Sequence, residues 1–241
     1  MLTVVVQGQL TPWTSEYIRR YSEFDCVEEV IFSTWEGELV PQDLPALVAP
    51  SPRPENPGMG NRNMQIVSSL AGCQMPLTDW VIKVRSDTFL PQLNEMFDYV
   101  AKNQSNEQQI FCLNVFPGFV YHPQDWYFIG RQRSMVRLFD IPLDPTPRSG
   151  IEDEPYWVDK VRSETYLGVH YCGQEHLLKD PRRYLLDISP ERDKLLTEWR
   201  KIISDRSHFV PMPPFAVQCD KHYPGGYPHD FMRQIYGCVY S

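Results

Sequence analysis

The chain has 241 residues, a length that one α/β domain can occupy, and its hydrophobic fraction of 42% and aromatic fraction of 13% exclude a disordered chain. The net charge is −8 and no run of Lys and Arg is dense enough to follow a phosphate backbone, which argues against DNA or RNA as the main partner. No stretch approaches the roughly 18 apolar residues that would span a bilayer.

Strand and helix patterns alternate from the start of the chain. Residues 3–6 form a β-branched run that predicts a strand buried on both faces. Residues 14–21 place their apolar side chains on one helical face, and residues 27–32 predict a second strand. The proline-rich segment 41–60 has no periodicity and is predicted to be a long surface loop.

The same alternation continues along the chain. Residues 61–70 predict a helix that Gly72 ends, residues 80–84 predict a third strand, and Pro91 opens another helix. Residues 109–115 and 126–129 predict further strands. This order predicts a single α/β domain with a mainly parallel central sheet and helices on both faces.

The last quarter of the chain is less regular. Residues 189–191 are a good helix start, and an apolar stripe follows over 195–203. The tail from 210 to 241 is rich in Pro, Gly and Tyr, and we expect it to wrap irregularly across the core.

Three turns are candidates for a ligand site, because open α/β sheets bind ligands beyond the carboxyl ends of their strands. They are residues 7–9, residues 33–36 and the triplet Arg85-Ser86-Asp87. The carboxylate of Asp87 could hold Mg²⁺ or Mn²⁺, and Arg85 could pair with a phosphate. A plain surface turn is the alternative.

The start of the helix at 61–70 is a second candidate for anion binding. Asn61 and Arg62 stand where backbone N–H groups are free, and an arginine there suits a phosphate. The alternative is that Asn61 only caps the helix and that Arg62 is solvated.

Short motifs spread over residues 3 to 180 resemble, in order and spacing, the WavE-like family of lipopolysaccharide synthesis. The motifs are Val6-Gln7-Gly8, Ser33-Thr34-Trp35, Asn61-Arg62-Asn63-x-Gln65-Ile-Val-Ser, Leu70-Ala-Gly72, Lys83-Val-Arg85-Ser86-Asp87, Asp125-Trp126-Tyr-Phe-Ile-Gly130, Leu138-Phe139-Asp140-Ile-Pro142 and Gln174-Glu175-His176-Leu177.

The resemblance implies an A-type glycosyltransferase domain with a nucleotide-binding half at 1–90 and an acceptor half with the C-terminal wrap at 91–241. In such enzymes the last carboxylate of an Asp-x-Asp triplet coordinates the metal on the diphosphate. Asp87 matches that carboxylate, whereas Arg85 replaces the first acid. The resemblance therefore implies Mg²⁺ or Mn²⁺ at Asp87, and Arg85 could take over part of the charge neutralisation.

The resemblance also implies a catalytic base and a donor site. Glu175 matches the family position for the base that takes the acceptor proton, with Asp125 as the second candidate. A first-turn Glu favoured by the helix dipole is the structural alternative for Glu175. The donor site then comprises Gln7, Gly8, Thr34, Trp35, Asn61, Arg62 and Arg85.

The implied function is transfer of a sugar from a nucleotide-sugar to a glycan or lipid-linked acceptor in surface polysaccharide synthesis. A non-catalytic sugar- or partner-binding module and a nucleotidyltransferase are the alternatives. The six cysteines show no CxxC spacing, and residues 1–8 lack the pattern of a secretory signal. We therefore expect a cytoplasmic protein, located at the inner face of the membrane if its acceptor is lipid-linked.

Overall fold

A computed structural model describes residues 1–115, 119–145, 163–178 and 192–219. The strands are β1 (Leu2–Gln7), β2 (Val27–Trp35), β3 (Leu47–Ser51), β4 (Trp80–Arg85), β5 (Thr88–Phe89), β6 (Ile110–Cys112), β7 (Tyr127–Arg131), β8 (Phe209–Pro211) and β9 (Gln218–Cys219). The helices are α1 (Thr14–Tyr21), α2 (Arg62–Gln74), α3 (Leu93–Asn103), α4 (Gln132–Phe139), α5 (Ser163–Tyr171) and α6 (Arg192–Ser204). The turns Met59–Asn61 and Glu175–Leu177 are 3₁₀-helical.

The main sheet has seven strands in the order β3-β2-β1-β4-β7-β6-β8. Only β7 is antiparallel to its neighbours in this sheet, which confirms the predicted mainly parallel arrangement. The chain moves from β1 outward to β2 and β3, and then returns to place β4 on the other side of β1. The strand order therefore reverses between β1 and β4, where open α/β sheets have their ligand crevice.

Helices cover both faces of this sheet, as predicted. On one face, α1 and α3 pack on β-strand side chains such as Val4, Phe32 and Ile82. On the other face, α2, α4, α5 and α6 pack on side chains such as Val5 and Val81. Each inner strand is apolar on both sides, because both of its faces are covered.

Helix α2 lies unusually close to the sheet, and this corrects the prediction that Gly72 ends it. The helix continues to Gln74, and Gly72 faces the sheet. A β-carbon built on Gly72 would overlap the side chain of Val5 and lie 2.9 Å from the β-carbon of Ser33. The Ser33 hydroxyl donates to the carbonyl of Ser68 at 2.5 Å. Gly72 is therefore a packing residue rather than a helix stop.

Two other predictions need correction or lie outside the described ranges. The segment 41–60 is not one loop, because it contains the edge strand β3, which pairs in parallel with β2. The helix start at 189–191 and the tail beyond 219 fall outside the described residues. Across the described ranges, no helix is both long enough and apolar enough to cross a membrane.

The packing of α2 predicts an unusual response to Gly72→Ala. Alanine normally favours a helix over glycine by about 1 kcal/mol. Here the added methyl overlaps Val5 and Ser33, so we expect the free energy of unfolding to fall by about 1–2 kcal/mol despite that gain. Urea unfolding measures the change.

Ala101→Gly on the exposed face of α3 is the control, because it reports the helix-propensity term alone. A Gly72→Ala protein as stable as the original, or more stable, would contradict the close approach of α2.

Candidate functional site

The turns after β1 and β4 are bonded to each other at the point where the strand order reverses. The Ser86 N–H donates to the Gln7 carbonyl at 2.8 Å. Gly8 has φ +135°, and a β-carbon there would lie 2.6 Å from Oγ of Ser86. Glycine is therefore required at this position both by its backbone conformation and by the lack of space.

Arg85 and Asp87 form an ion pair at the carboxyl end of β4. Nε and Nη2 of Arg85 donate to Oδ1 and Oδ2 of Asp87 at 2.9 and 2.7 Å. The pair is only partly accessible, with side-chain exposures of 22% for Arg85 and 9% for Asp87. Two parallel hydrogen bonds fix the plane of the guanidinium relative to the carboxylate.

This pairing gives Asp87 a cationic partner, and the divalent metal expected there stays a prediction. Each carboxylate oxygen accepts one hydrogen bond from Arg85 and keeps a second lone pair for another partner. Among the described residues there is also no group of three or more His, Cys, Asp or Glu side chains that could hold a metal ion. Within the described residues, Arg85 is the positive group that lies against Asp87 at this turn.

The segment after Asp87 is held on both sides. The Tyr21 hydroxyl donates to the Thr88 carbonyl and accepts from the Leu90 N–H, both at 3.1 Å. Burial raises the pKa of this phenol, so it keeps the proton that it donates. Strand β5 also pairs with β9 near the end of the described chain. The position of Asp87 is thus fixed by α1 and by the C-terminal part of the fold.

Asp125 joins the same edge, because β7 runs antiparallel to β4 and therefore begins there. The Gln65 side chain donates to Oδ2 of Asp125 at 2.9 Å. Nζ of Lys83 lies 3.2 Å from the Asp125 carbonyl oxygen. The second candidate for the base is therefore adjacent to the turns of β1 and β4, on the α2 side of the sheet.

Lys83 and Gln65 were not identified as site residues from the sequence. Lys83 is fully buried in the middle of β4. Burial lowers its pKa from 10.5 to about 8, although the nearby Asp125 acts to raise it. The sequence could have identified Lys83, because a lysine is unusual in the otherwise apolar core strand Trp80-Val-Ile-Lys-Val. Gln65 gave no such signal, because a glutamine on a helix is ordinary.

Thr34 and Trp35 lie at the end of β2 and support the turn after β1. The Thr34 hydroxyl donates to one carboxylate oxygen of Glu38 at 2.8 Å, and the other oxygen accepts from the Leu10 N–H at 2.7 Å. Trp35 is buried, with the Arg53 guanidinium 5.7 Å from its ring centroid. Both residues lie at the carboxyl edge of the sheet, where their contacts support the fold.

Arg62 and Asn61 do not join this group. Nε of Arg62 lies 3.2 Å from Oδ2 of Asp144, and the two side chains are 1% and 0% exposed. Asn61 has φ 62° and makes no capping hydrogen bond with its side chain. Since the guanidinium of Arg62 is buried against a carboxylate, we do not include it in the donor site proposed below.

Glu175 is also separate from the group. It lies in the 3₁₀ turn after α5, is 54% exposed, and faces Nδ1 of His170 at 3.8 Å. The end of α5 packs at the opposite edge of the sheet, because the Tyr171 hydroxyl donates to the Gln108 carbonyl at the amino end of β6. The structure therefore brings together Gln7, Gly8, Arg85, Asp87 and Asp125, but not Glu175.

These features define a doubly wound α/β protein with a group of polar side chains at its switch point. No protein-family model matches the chain, and no curated protein matches it. Among solved structures, HddC from Yersinia pseudotuberculosis is similar over 64% of this chain and 86% of that chain, with 14% sequence identity and a TM-score of 0.38. The resemblance to WavE-like proteins thus stays a prediction from the motifs.

The buried Lys83 predicts a specific dependence of stability on pH. Below about pH 8 the ammonium is charged in both the folded and the unfolded chain, and its burial is unfavourable. Between about 8 and 10.5 the unfolded chain still binds the proton that the folded chain has released, so stability rises with pH. Relative to Lys83→Met, the free energy of unfolding should rise by about 2–3 kcal/mol across this window.

Denaturant unfolding at several pH values measures the free energy of unfolding of both proteins. Their difference isolates Lys83, because the other titrating groups contribute equally to both. Lys102→Met on the exposed face of α3 is the matched control. Parallel stability profiles for the original protein and Lys83→Met would contradict the burial of a charged lysine beside Asp125.

Proposed function

We propose that this chain is a glycosyltransferase that binds the diphosphate of a nucleotide-sugar at the switch point and transfers the sugar to a glycan or lipid-linked acceptor. The observation that carries the proposal is the Arg85–Asp87 pair at the end of β4, beside the Gly8 turn. The motif resemblance supports the choice of a nucleotide-sugar among phosphate-bearing ligands. A cytoplasmic enzyme fits this donor, and a lipid-linked acceptor would bring it to the membrane.

The first step is recognition of the donor. Arg85 ends a core strand, and Gln7, its register partner on β1, lies beside it. A guanidinium recognises phosphate oxygens through paired hydrogen bonds, and its interaction is strengthened where water is partly excluded. In the proposal Arg85 binds the diphosphate and Asp87 keeps the guanidinium oriented, while Thr34 and Trp35 border the nucleoside.

The second step is the chemistry, for which Asp125 is the proposed base. In an inverting reaction, the acceptor hydroxyl loses its proton to Asp125 as its oxygen bonds to the anomeric carbon. The bond from that carbon to the diphosphate breaks, and the electron pair leaves with the nucleoside diphosphate. Gln65 orients the carboxylate through Oδ2, and Arg85 stabilises the leaving group. This scheme uses no metal.

The same ion pair also favours a second candidate, a non-catalytic nucleotide-sugar-binding module. Such a module would retain the arginine and lose the acidic pair that positions a metal, which is the pattern at residues 85–87. The two candidates share the ligand and differ in turnover, so binding and transfer must be measured separately.

Donor binding through Arg85 predicts a thermal shift. UDP, GDP or another nucleoside diphosphate at millimolar concentration should raise the melting temperature, with and without Mn²⁺. Arg85→Gln should remove the shift, because a hydrogen bond to a charged group contributes about 1.5–3 kcal/mol. Arg19→Gln, which removes an exposed Arg–Asp pair, should keep it.

The absence of a shift with every nucleotide would contradict both candidates. A shift that requires Mn²⁺ and is also seen with Arg85→Gln would support the prediction that a metal ion binds at Asp87.

Transfer activity distinguishes the two candidate bases. Asp125→Asn keeps the size and the polar contacts of the side chain but removes its basicity, so transfer should fall by about 10²–10⁴-fold while donor binding is kept. Donor turnover with a chromatographic assay measures the loss. A normal rate for Asp125→Asn together with loss of transfer in Glu175→Gln would return the role of base to Glu175.

A further inference from the structure

A pocket lined by polar and charged residues lies at the opposite, amino-terminal edge of the sheet. It has a volume of about 590 Å³ and is bordered by residues that precede β6, by the start of α4 and by residues that precede β8. Trp80 at the start of β4 pairs with Arg131 at the end of β7, which places α4 at this edge. Since β4 has six residues, the two edges are about 20 Å apart.

The pocket is basic although the chain as a whole has a net charge of −8. Arg131, Arg133, Arg137 and His208 border it. Among the described residues that line it, Glu107 is the single acid, and outside the lining Nη1 of Arg131 lies 3.9 Å from Oδ2 of the exposed Asp79. The balance of charge favours an anionic ligand.

Arg131 and Arg133 lie at the start of α4, a position that is unfavourable for a cation without an anion. The helix begins at Gln132 with Arg131 as its N-cap residue, and its first turn contains no acid. Cations near a helix N-terminus oppose the helix dipole. Arg133 and Arg137 are also four residues apart, a spacing at which like charges repel. A bound anion would relieve both effects.

Two of the three guanidiniums are held in place by aromatic side chains. The Arg131 guanidinium lies 4.1 Å from the Trp80 ring centroid, and its Nε donates to Gln104 at 2.9 Å. The Arg137 guanidinium lies 5.0 Å from the Tyr171 ring centroid, and Nη2 donates to the Tyr171 carbonyl at 3.2 Å. Groups fixed in this way lose little conformational freedom when they bind a ligand.

Arg133 differs from these two. It is exposed, and within the described part of the chain it has neither a hydrogen bond nor an ion pair. The pocket therefore combines two fixed guanidiniums with one that is able to close on a ligand. Planar guanidiniums are suited to the several oxygens of a phosphate.

His208 gives the pocket a spectroscopic reporter. Its Nδ1 lies 3.1 Å from the Ser207 hydroxyl, and burial lowers its pKa, with a further lowering from Arg137. A phosphate bound among these groups would oppose the effect of Arg137 and raise the pKa of His208.

We propose that this pocket binds a phosphate group, carried either by a small soluble phosphoester or by a lipid headgroup. It is distinct from the donor site, because a ligand at this edge of the sheet lies too far from Arg85 to share the same diphosphate. The proposal therefore holds or fails independently of the glycosyltransferase activity.

The test follows the ring signals of His208 by NMR at constant pH and ionic strength. Glycerol 3-phosphate is the soluble probe, and vesicles of phosphatidylcholine with and without phosphatidic acid are the lipid probe. We expect a saturable shift with the soluble probe, or sedimentation with vesicles that depends on phosphatidic acid. The first outcome identifies a soluble ligand, and the second identifies a headgroup.

The variant Arg133→Gln/Arg137→Gln should weaken either interaction by about tenfold or more. Because Arg137 also contacts Tyr171, its replacement could disturb the fold. Arg133→Gln alone removes a side chain that makes no described hydrogen bond or ion pair, and it should also weaken binding. Arg200→Gln on the exposed surface of α6 is the matched control. No response to either probe, or a response that is the same in all variants, would overturn the proposal.

Discussion

The close contact between α2 and the first two strands is the constraint on which the polar group at the switch point depends. Gly72 and Ser33 allow the helix backbone to approach the sheet, and Ser68 then accepts a hydrogen bond from the Gln7 side chain at 2.8 Å. This approach places Gln65 against Asp125 and closes one side of the polar group. A bulkier helix face would lift α2 from β1 and separate Gln65 from the start of β7. The position of this polar group is thus a consequence of small side chains in the core.

The two edges of the sheet have different electrostatic character. At the carboxyl edge the cation Arg85 is matched by Asp87, and Lys83 lies beneath Asp125, so positive and negative groups alternate over a short distance. At the amino edge three arginines line the pocket together with the acid Glu107, and Arg131 also lies 3.9 Å from the exposed Asp79. The first arrangement suits a ligand that brings both a phosphate and a reacting hydroxyl. The second suits a ligand that is simply anionic.

Much of the fold could be predicted because its signals are local. The spacing of apolar residues alone indicates which side chains are buried in β1, α1 and α3. For α1 the predicted bounds, Thr14–Tyr21, are those of the structure. Strand β3 was missed because its Leu and Val lie within a proline-rich stretch, and an edge strand tolerates proline where a central one does not. Gly72 was misread because a helix stop and a close helix–sheet contact both favour glycine. The site was only partly predictable, since the pairing of Arg62 with Asp144 and the distance of Glu175 from Asp87 depend on long-range packing.

The central claim is that a nucleoside diphosphate binds between the turns after β1 and β4. Amide hydrogen exchange of the protein with and without UDP or GDP tests it most directly, because it reports the location of binding as well as its occurrence. The account predicts slower exchange at Gly8, Ser86 and Asp87, and at the start of β7, with no change at the amino edge of the sheet. Protection confined to other parts of the chain, or no protection at ligand concentrations that saturate a nucleotide site, would contradict it.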